Sequence, residues 1–360
     1  RAPPVLKGRA TSEGTAAYRA TQGAGAADGH FREWRGLSLS SVGMGTYLGP
    51  DDDATDALYE AAVEQAVASG INVVDSAVNY RSQRSERAVG RALGRLVRAG
   101  SAAREGVVVA TKGGFLPFDG PAPPGLLRPG DLVAGCHCMT PRYLEDQIER
   151  SRVNLDLETI DIYYLHNPET QLGELPRREV TRRLRAAFEF LEGAARDRRI
   201  GLYGTATWSG YRQPQSARDF LSLPDLVALA EEVGGAEHRF RVVQLPYNLA
   251  MTEAFTLANQ GAGNEPVPLL ESARRLDVYV MSSASIYQGQ LATNLPAVIA
   301  RFLPGLDTDA QRALQFVRST PGVGTALVGM KTPAHVAEAV RLCAVSPVPW
   351  SEFQKLFAPA

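Results

Sequence analysis

The sequence predicts a single α/β domain, a (β/α)8 (TIM) barrel with a parallel eight-stranded core and an N-terminal extension. Short apolar runs rich in β-branched residues alternate with amphipathic stretches from about residue 37 to residue 343. Eight such pairs fit into the 360 residues, and eight is the number that closes a parallel barrel. The first predicted strand lacks the glycine fingerprint that commonly follows it in an open doubly wound sheet.

Continuous apolar runs indicate strands that helices cover on both faces. In chain order they are "SVGMGT" (41–46), "INVVDSA" (71–77), "GVVVATK" (106–112), "TIDIYYLH" (159–166), "IGLYGTAT" (200–207), "FRVVQLPY" (240–247), "DVYVMSSA" (277–284) and "GTALVGM" (324–330). Apolar residues at helical spacing, with stop signals such as Gly70, indicate the helices. These cover residues 56–70, 86–100, 141–155, 177–197, 224–234, 268–276, 308–319 and 333–343.

The division of the chain follows from this pattern. Residues 1–36 are expected to be irregular, with "GAGAADG" (23–29) as a flexible linker. Residues 37–343 form the barrel, and residues 344–360 form a C-terminal tail.

Two long connections follow predicted strands, at residues 113–140 and 285–306. Loops of this length are commonly functional, and both leave the carboxyl ends of strands, where barrel enzymes keep their sites. The run "GVGTALVG" (322–329) resembles a dinucleotide fingerprint, but its spacing is wrong and it lies in and before a strand.

Composition excludes several classes of protein. The formal charge is −1 and no long basic run occurs, so a nucleic-acid surface is not indicated. No apolar stretch approaches the roughly 20 residues that span a bilayer, and the first 30 residues lack the apolar core of a secretory signal. Three cysteines do not make a disulfide scaffold, so we expect a cytoplasmic protein.

Lysine is scarce in this chain. Of 38 basic residues only Lys7, Lys112, Lys331 and Lys355 are lysines. Lysine offers a compact charge with a tunable pKa, which arginine does not. Because Lys7 and Lys355 lie near the ends, Lys112 and Lys331 are the candidates for chemistry.

Four ionisable residues stand at or after the ends of three successive strands: Asp75, Tyr80, Lys112 and His166. In a barrel these ends meet at one mouth, so the four side chains suit proton donation beside a carbonyl. We expect the Lys112 ammonium to lower the pKa of Tyr80 and Asp75 to hold the ammonium. Taken singly, Asp75 could cap a helix, Tyr80 could be a rim aromatic and His166 a satisfied core histidine.

A metal site is not expected. The run "CHC" (136–138) has no partner pair elsewhere, and adjacent side chains diverge in an extended segment, so loop structure is favoured.

With these residues the chain resembles the aldo-keto reductase superfamily. The motifs that carry the resemblance are "MGTY" (44–47), "GINVVDSAVNYRSQRSERAVGRAL" (70–93), "VATKGGF" (109–115), "IDIYYLHNPE" (160–169), "VVQLPYNL" (242–249) and "ALVGMKTPAHVAEAV" (326–340). The resemblance implies a barrel that uses NADPH to interconvert carbonyls and alcohols, with Asp75, Tyr80, Lys112 and His166 as the catalytic tetrad and Tyr80 as proton donor.

The resemblance also implies a set of cofactor contacts, with Gln244 bonding the nicotinamide carboxamide. They are Gly45, Thr46, Asp75, Thr207, Gln244, Ser283, Gly289, Gln290, Leu291, Gly329, Lys331, Thr332 and His335. The chain departs from the family pattern at Ala206, at Ser283, where an aromatic commonly stacks on the nicotinamide, and at Ala339. These changes bear on cofactor affinity more than on chemistry.

Lys331 lies just before the last predicted helix, whose first backbone N–H groups favour a phosphate, and barrel enzymes often bind one at this place. Its charge suits the 2′-phosphate of NADPH, with Gly329, Thr332 and His335 beside it. The alternative is a plain helix start with Thr332 as N-cap and a solvated lysine.

The leading hypothesis is an NADPH-dependent oxidoreductase for an aldehyde, ketone or sugar carbonyl. Tyr47, Phe115 and Trp208 are candidate apolar walls for the substrate. Two alternatives are an NADPH-binding regulatory subunit and a barrel lyase or isomerase that uses the nucleotide without net redox. The particular substrate, the physiological direction and the oligomeric state do not follow from the sequence.

Overall fold

The computed structural model describes residues 5–117, 122–262 and 265–357. Before the barrel come helix α1 (Ser12–Ala20) and an antiparallel hairpin of β1 (Phe31–Trp34) and β2 (Leu37–Ser40). The prediction of an irregular segment over residues 1–36 was therefore wrong. The run 23–29 is not a flexible linker either. It forms hydrogen-bonded turns, and a long-range hydrogen bond joins Ala27 N to Cys343 O at 2.8 Å.

Eight parallel strands close into the predicted barrel, with each strand hydrogen-bonded to the next and the last to the first. The strands are β3 (Val42–Gly45), β4 (Val73–Asp75), β5 (Val108–Gly113), β6 (Ile160–His166), β7 (Ile200–Ala206), β8 (Phe240–Pro246), β11 (Tyr279–Ser283) and β12 (Thr325–Gly329). A small antiparallel pair, β9 (Gln260–Ala262) and β10 (Glu265–Val267), interrupts the series. The barrel prediction is confirmed.

Helices follow the barrel strands in the expected alternation. They are α2 (Asp53–Ala68), α3 (Arg84–Arg98), α4 (Pro141–Leu155), α5 (Arg177–Arg196), α6 (Leu223–Gly234), α8 (Leu269–Arg275), α10 (Asp309–Ser319) and α11 (Pro333–Val340). Two short helices, α7 (Glu253–Thr256) and α9 (Ala297–Phe302), lie in connections, and a third, α12 (Trp350–Phe353), lies in the C-terminal tail. Helix α11 ends earlier than expected because the chain tightens into a 3₁₀ turn over Arg341–Ala344.

The hairpin closes the amino end of the barrel. Leu39 of β2 is 1% exposed and joins the apolar cluster inside the barrel with residues such as Val73 and Ile162. Burial of one leucine side chain stabilises a fold by about 1.5–3 kcal/mol. Asn72, just before β4, fastens the hairpin by accepting from Ser40 N at 2.9 Å. The carboxyl end of the barrel stays available for a site.

No helix within the described ranges combines the length and the apolar character needed to cross a bilayer. Among the same residues, no cluster of three or more His, Cys, Asp or Glu side chains is placed to hold a metal ion.

Candidate active site

Lys112 lies at the centre of a group of polar side chains at the carboxyl ends of β4, β5 and β6. Its Nζ donates to Asp75 Oδ2 at 2.6 Å, to Ser76 O at 2.8 Å and to Tyr80 Oη at 3.2 Å. Lys112 is fully buried and Asp75 is 3% exposed. His166 ends β6, which pairs with β5. The structure thus brings together the four residues that the sequence predicted.

Tyr80 reaches this group from the turn that follows β4. Residues 81–83 directly after it all have left-handed φ angles, of 48°, 50° and 71°. Such a conformation costs about 1–2 kcal/mol for each residue with a side chain. Arg81 holds the turn, because its guanidinium donates to Pro50 O at 2.9 Å and to Asp56 Oδ1 at 2.8 Å. The surrounding contacts therefore keep Tyr80 over Lys112, with Nζ 4.7 Å from the ring centroid.

His166 faces Tyr80 across the mouth. Its ring centroid lies 5.9 Å from that of Tyr80 and 5.0 Å from that of Phe115. Burial holds the pKa of His166 well below its usual range, and the charge of Lys112 and the nearby His137 add to this. A neutral imidazole still carries one N–H group, which can donate a hydrogen bond to a carbonyl oxygen. Nδ1 of His166 is buried and has no hydrogen-bond partner within the described part of the chain.

Electrostatics in the site differ from the sequence prediction in one respect. Burial raises the pKa of Tyr80, and the Lys112 ammonium opposes this without overcoming it. Lys112 thus acts on the Tyr80 pKa in the expected direction, but burial outweighs it and the net shift is upward. Burial acts against the Lys112 ammonium, yet Asp75 and Tyr80 outweigh it, so the pKa of Lys112 is raised. Burial also raises the pKa of Asp75 despite Lys112. Tyr80 accordingly keeps its proton at neutral pH.

Gln244 and Thr207 lie at the ends of neighbouring strands beside the Lys112 group. Gln244 Nε2 donates to Asp75 Oδ1 at 2.8 Å, and Thr207 N donates to Gln244 O at 2.8 Å. The Thr207 hydroxyl is buried, and none of the described residues offers it a hydrogen-bond partner. The hydroxyl of Thr46 is instead bonded to Asp75 O and to Ser76 Oγ, both at 3.0 Å. Thr207 therefore offers a free polar atom to a bound amide, while Thr46 supports β4.

The start of α11 has the N-cap that the sequence predicted, and Lys331 stands directly before it. Thr332 is the N-cap of the helix and accepts from His335 N at 3.3 Å. Gly329 ends β12. A Cβ atom added there would meet nothing within 4 Å, so the backbone at Gly329 is accessible to a ligand. Lys331 Nζ would lie 3.4 Å from a Cβ atom added at Gly49, so the Lys331 side chain packs against the loop after β3. His335 is exposed. The helix start is therefore observed, and a phosphate site at Lys331 stays a prediction.

The remaining residues that the sequence predicted to contact the cofactor lie at or near the carboxyl end of the barrel. Gly45 ends β3. A Cβ atom added at this residue would lie 3.7 Å from the nearest backbone atoms of β12, so the space in front of Gly45 is open. Ser283 ends β11 and is half-buried. Gly289 and Gln290 are exposed and Leu291 is half-buried, in the connection that follows β11. All of them are at the carboxyl end of the barrel or in a loop that leaves it.

Three aromatic side chains surround the mouth. Tyr47 is 54% exposed and its ring centroid lies 5.0 Å from that of Tyr80. Phe115 lies against His166, and Trp208 is 45% exposed in the loop after β7. Their positions suit the walls of a substrate site.

Glu169 is a site residue that the sequence reasoning missed. Its Oε1 accepts from the backbone N–H groups of Trp208, Ser209 and Gly210 at 2.8, 3.1 and 3.3 Å. Glu169 is 5% exposed, and burial raises its pKa. The loop after β6 therefore holds the loop that carries Trp208. The only sequence signal was an acidic residue three positions after His166.

A closed (β/α)8 barrel with an acid–base group at the carboxyl ends of its strands defines an enzyme of the barrel class. The model of the aldo/keto reductase family matches residues 41–295, more than half of the chain. The chain belongs to the aldo/keto reductase family.

Solved structures with the same fold are distant in sequence. An aldo/keto reductase from Klebsiella pneumoniae in complex with NADP and acetate is 19% identical, with a TM-score of 0.62 over 93% of this chain and 97% of that one. A glycerol dehydrogenase from Gluconobacter oxydans is 20% identical, with a TM-score of 0.63 over 92% and 94%. An aldo-keto reductase from Bacillus halodurans, in its holo form, is 18% identical, with a TM-score of 0.61 over 91% and 95%.

Proposed function

We propose that this protein is an NADPH-dependent oxidoreductase that interconverts a carbonyl and an alcohol, with Tyr80 as the proton donor. One observation carries the proposal: a buried ammonium, Lys112, contacts both the Asp75 carboxylate and the Tyr80 hydroxyl. If the Lys112–Asp75 ion pair only stabilised the fold, it would not need the Tyr80 hydroxyl beside the ammonium. A phenol that is held neutral and hydrogen-bonded to an ammonium is arranged to give up a proton.

Bound NADPH would supply a hydride to the carbonyl carbon. Tyr80 would donate its hydroxyl proton to the carbonyl oxygen, and Lys112 would stabilise the phenolate that remains. Asp75 keeps the ammonium in place through its 2.6 Å contact. The neutral His166 would orient the carbonyl oxygen, since it stands across the mouth from Tyr80. Trp208, Tyr47 and Phe115 would exclude water from the reacting atoms.

The residues present fit a nicotinamide cofactor. The unpartnered Thr207 hydroxyl and the Gln244 amide would hold the carboxamide, and Lys331 with the first turn of α11 would hold the 2′-phosphate. Gly45 and Gly329 leave room for close approach. Solved neighbours of this fold include complexes with NADP, which supports the choice of cofactor.

Further cofactor contacts are proposed from the same mouth. They are Thr46, Asp75, Ser283, Gly289, Gln290, Leu291, Thr332 and His335.

Mixing the protein with NADPH and a panel of aldehydes, ketones and sugars tests the activity. We expect the nicotinamide absorbance to fall with at least one carbonyl. A regulatory subunit would bind NADPH without consuming it. A lyase or isomerase would convert its substrate with no net loss of absorbance, and either outcome would contradict the proposal.

Tyr80→Phe tests the proton donor, because it removes the hydroxyl and keeps the ring. General acid catalysis contributes about 100- to 10,000-fold, so we expect kcat to fall within that range. NADPH binding, measured by fluorescence titration, should stay as in the wild type. Activity near that of the wild type would show that another group donates the proton.

A further inference from the structure

His137 occupies an unusual place in the long loop after β5. It is one of five histidines in the chain and is 1% exposed. Residues 136–138 run antiparallel to residues 114–116 and form two backbone hydrogen bonds with them, of 2.8 and 2.9 Å. The loop thus returns to the catalytic mouth and places a buried imidazole against the end of β6.

A chain of hydrogen bonds fixes the tautomer of His137. Arg183, which can only donate, bonds Gln171 Oε1 at 3.1 Å. The Gln171 amide nitrogen therefore faces His137, at 3.0 Å from Nδ1, and donates to it. Since Nδ1 accepts, the proton is on Nε2, which lies 2.7 Å from the backbone oxygen of His166. The His137 ring consequently donates to the carbonyl of the residue at the end of β6.

We propose that His137 is a positioning residue, which sets the place of the His166 imidazole through this hydrogen bond and through Phe115. The proposal rests on the proposed function, in which His166 orients the carbonyl substrate.

Phe115 provides the second link between the two imidazoles. Its ring centroid lies 5.1 Å from that of His137 and 5.0 Å from that of His166, edge-to-face in both cases. Gly114 makes this packing possible. A Cβ atom at this residue would lie 2.8 Å from His137 Nε2 and 3.1 Å from His166 O, which is too close. Its φ of 143° also favours glycine. The backbone at this point is therefore shaped around His137.

The His166 ring depends on these links for its orientation. Its Nδ1 finds no hydrogen-bond partner among the residues that the structure describes, so no polar contact at that atom fixes the ring. Phe115 on one side and Tyr80 on the other confine it. A shift of the β6 end or of Phe115 would move the imidazole relative to Tyr80.

Burial keeps His137 in its donating, neutral form across the physiological range. The pKa of His137 is lowered to about 4, and the hydrogen bond to His166 O opposes the lowering only in part. A protonated ring would place a second donor against the Gln171 amide nitrogen, which has nothing to accept with. The arrangement therefore excludes the charged form.

Three variants separate positioning from packing. His137→Gln keeps a donor near the Nε2 position, His137→Leu keeps bulk and removes it, and Cys136→Ser is the matched control in the same loop. A misplacement of about 1 Å can cost about 100-fold in rate. We expect His137→Leu to lower kcat by about 10- to 100-fold with the KM for NADPH unchanged. His137→Gln should recover most of that loss, and Cys136→Ser should match the wild type.

Imidazole ¹⁵N NMR of the protein without cofactor gives a readout that needs no turnover. We expect His137 to carry its proton on Nε2 and not to titrate between about pH 5 and pH 8. His137→Leu should shift the ring resonances of His166, whereas Cys136→Ser should leave them in place.

A proton on Nδ1, an unmoved His166 resonance in His137→Leu, or equal kcat losses in the glutamine and leucine variants would overturn the proposal. Failure of the proposed function is a separate result. It would appear as no NADPH consumption by the wild type with any carbonyl, while the NMR measurements could still be made and interpreted.

Discussion

At the scale of single residues, Lys112 shows why a lysine stands at this position in a chain in which only four of 38 basic residues are lysines. Its ammonium makes three hydrogen bonds within one fully buried space, to a carboxylate, a backbone oxygen and a phenol. A guanidinium is larger and planar and does not place its charge at the same point. The residue type therefore follows from the shape of the site as well as from its charge.

Lys112→Met removes the group that opposes the burial effect on Tyr80. The pKa of Tyr80 should rise further, so the basic limb of the pH–rate profile should move to higher pH. Loss of a charge-assisted hydrogen bond is worth about 1.5–3 kcal/mol, or roughly 10- to 150-fold in rate at neutral pH. Lys112→Arg should recover only part of this. A profile for Lys112→Arg identical to that of the wild type would refute the tuning role.

A folding control is needed here, because Lys112→Met leaves a carboxylate buried without its partner. Breaking a buried pair in this way costs about 3–5 kcal/mol. The double variant Asp75→Asn with Lys112→Met removes both charges. We expect it to be more stable than Lys112→Met and equally slow, as measured by urea unfolding and by kcat.

At the scale of elements, the site depends on loops that are fastened to one another at the carboxyl ends of the strands. The loop after β6 holds the loop after β7 through Glu169, and the loop after β5 holds the end of β6 through His137. The loop after β3 lies beside Lys331 at the start of α11. The shape of the candidate site therefore depends on contacts between loops.

Glu169→Ala should release the Trp208 loop, because three backbone N–H groups lose their acceptor. Hydrogen bonds to a charged group contribute about 1.5–3 kcal/mol, so stability should fall by that order. The KM for the carbonyl should rise while the KM for NADPH stays constant, in steady-state kinetics with each substrate varied. Glu174→Ala, at an exposed position in the same segment, is the control. Equal changes in both KM values would place the effect outside the substrate wall.

Lys331→Ala tests the cofactor choice at the start of α11. One charge-assisted hydrogen bond to a 2′-phosphate is worth about 1.5–3 kcal/mol, so NADPH binding should weaken by roughly 10- to 150-fold. NADH binding should be nearly unchanged in the same fluorescence titration. Lys355→Ala, which alters an exposed lysine paired with Glu352, is the control. Equal losses for both nucleotides would assign Lys331 to the shared pyrophosphate or to the fold.

At the scale of the whole molecule, the barrel separates its two ends. The N-terminal hairpin closes the amino end with Leu39, and the polar group around Lys112 lies at the carboxyl end. His30 connects the hairpin to the barrel. It is fully buried, with Nε2 at 2.8 Å from Gly70 O. The segment before the barrel thus belongs to the folded structure.

His30 should make stability depend on pH. Burial lowers its pKa to about 4 in the folded protein, against an ordinary value near 6.5. The unfolded chain therefore binds the proton first. The stability that neutral His30 provides is complete above about pH 6.5 and is lost progressively toward about pH 4. The loss amounts to about 3 kcal/mol.

Denaturant unfolding of the wild type and of His30→Gln between those pH values measures this effect. Other titrating groups contribute equally to both proteins, so the difference in unfolding free energy should shrink on acidification. His335→Gln, at an exposed position, should keep the pH dependence of the wild type. A difference that stays constant with pH would show that His30 has the same pKa in the folded and the unfolded state.

Local patterns in the sequence determined the fold and the residues of the candidate catalytic group. Alternating apolar runs predicted eight strands, and the barrel geometry then placed Asp75, Lys112 and His166 at one mouth. Both signals are local: a buried strand or an amphipathic helix is visible within a few residues. The scarcity of lysine further distinguished Lys112.

Only the tertiary structure decided how these groups behave and what holds them. The Tyr80 pKa depends on a balance between burial and the Lys112 charge, and burial is a property of the assembled barrel. His137 and Glu169 act on residues 29 and 39–41 positions away along the chain, respectively. Asn72 holds the hairpin at the amino end through Ser40, and Gly70 bonds His30 directly before it. Hydrogen bonds between residues distant in the chain produce no periodic pattern in the sequence, so they become visible only in the tertiary structure.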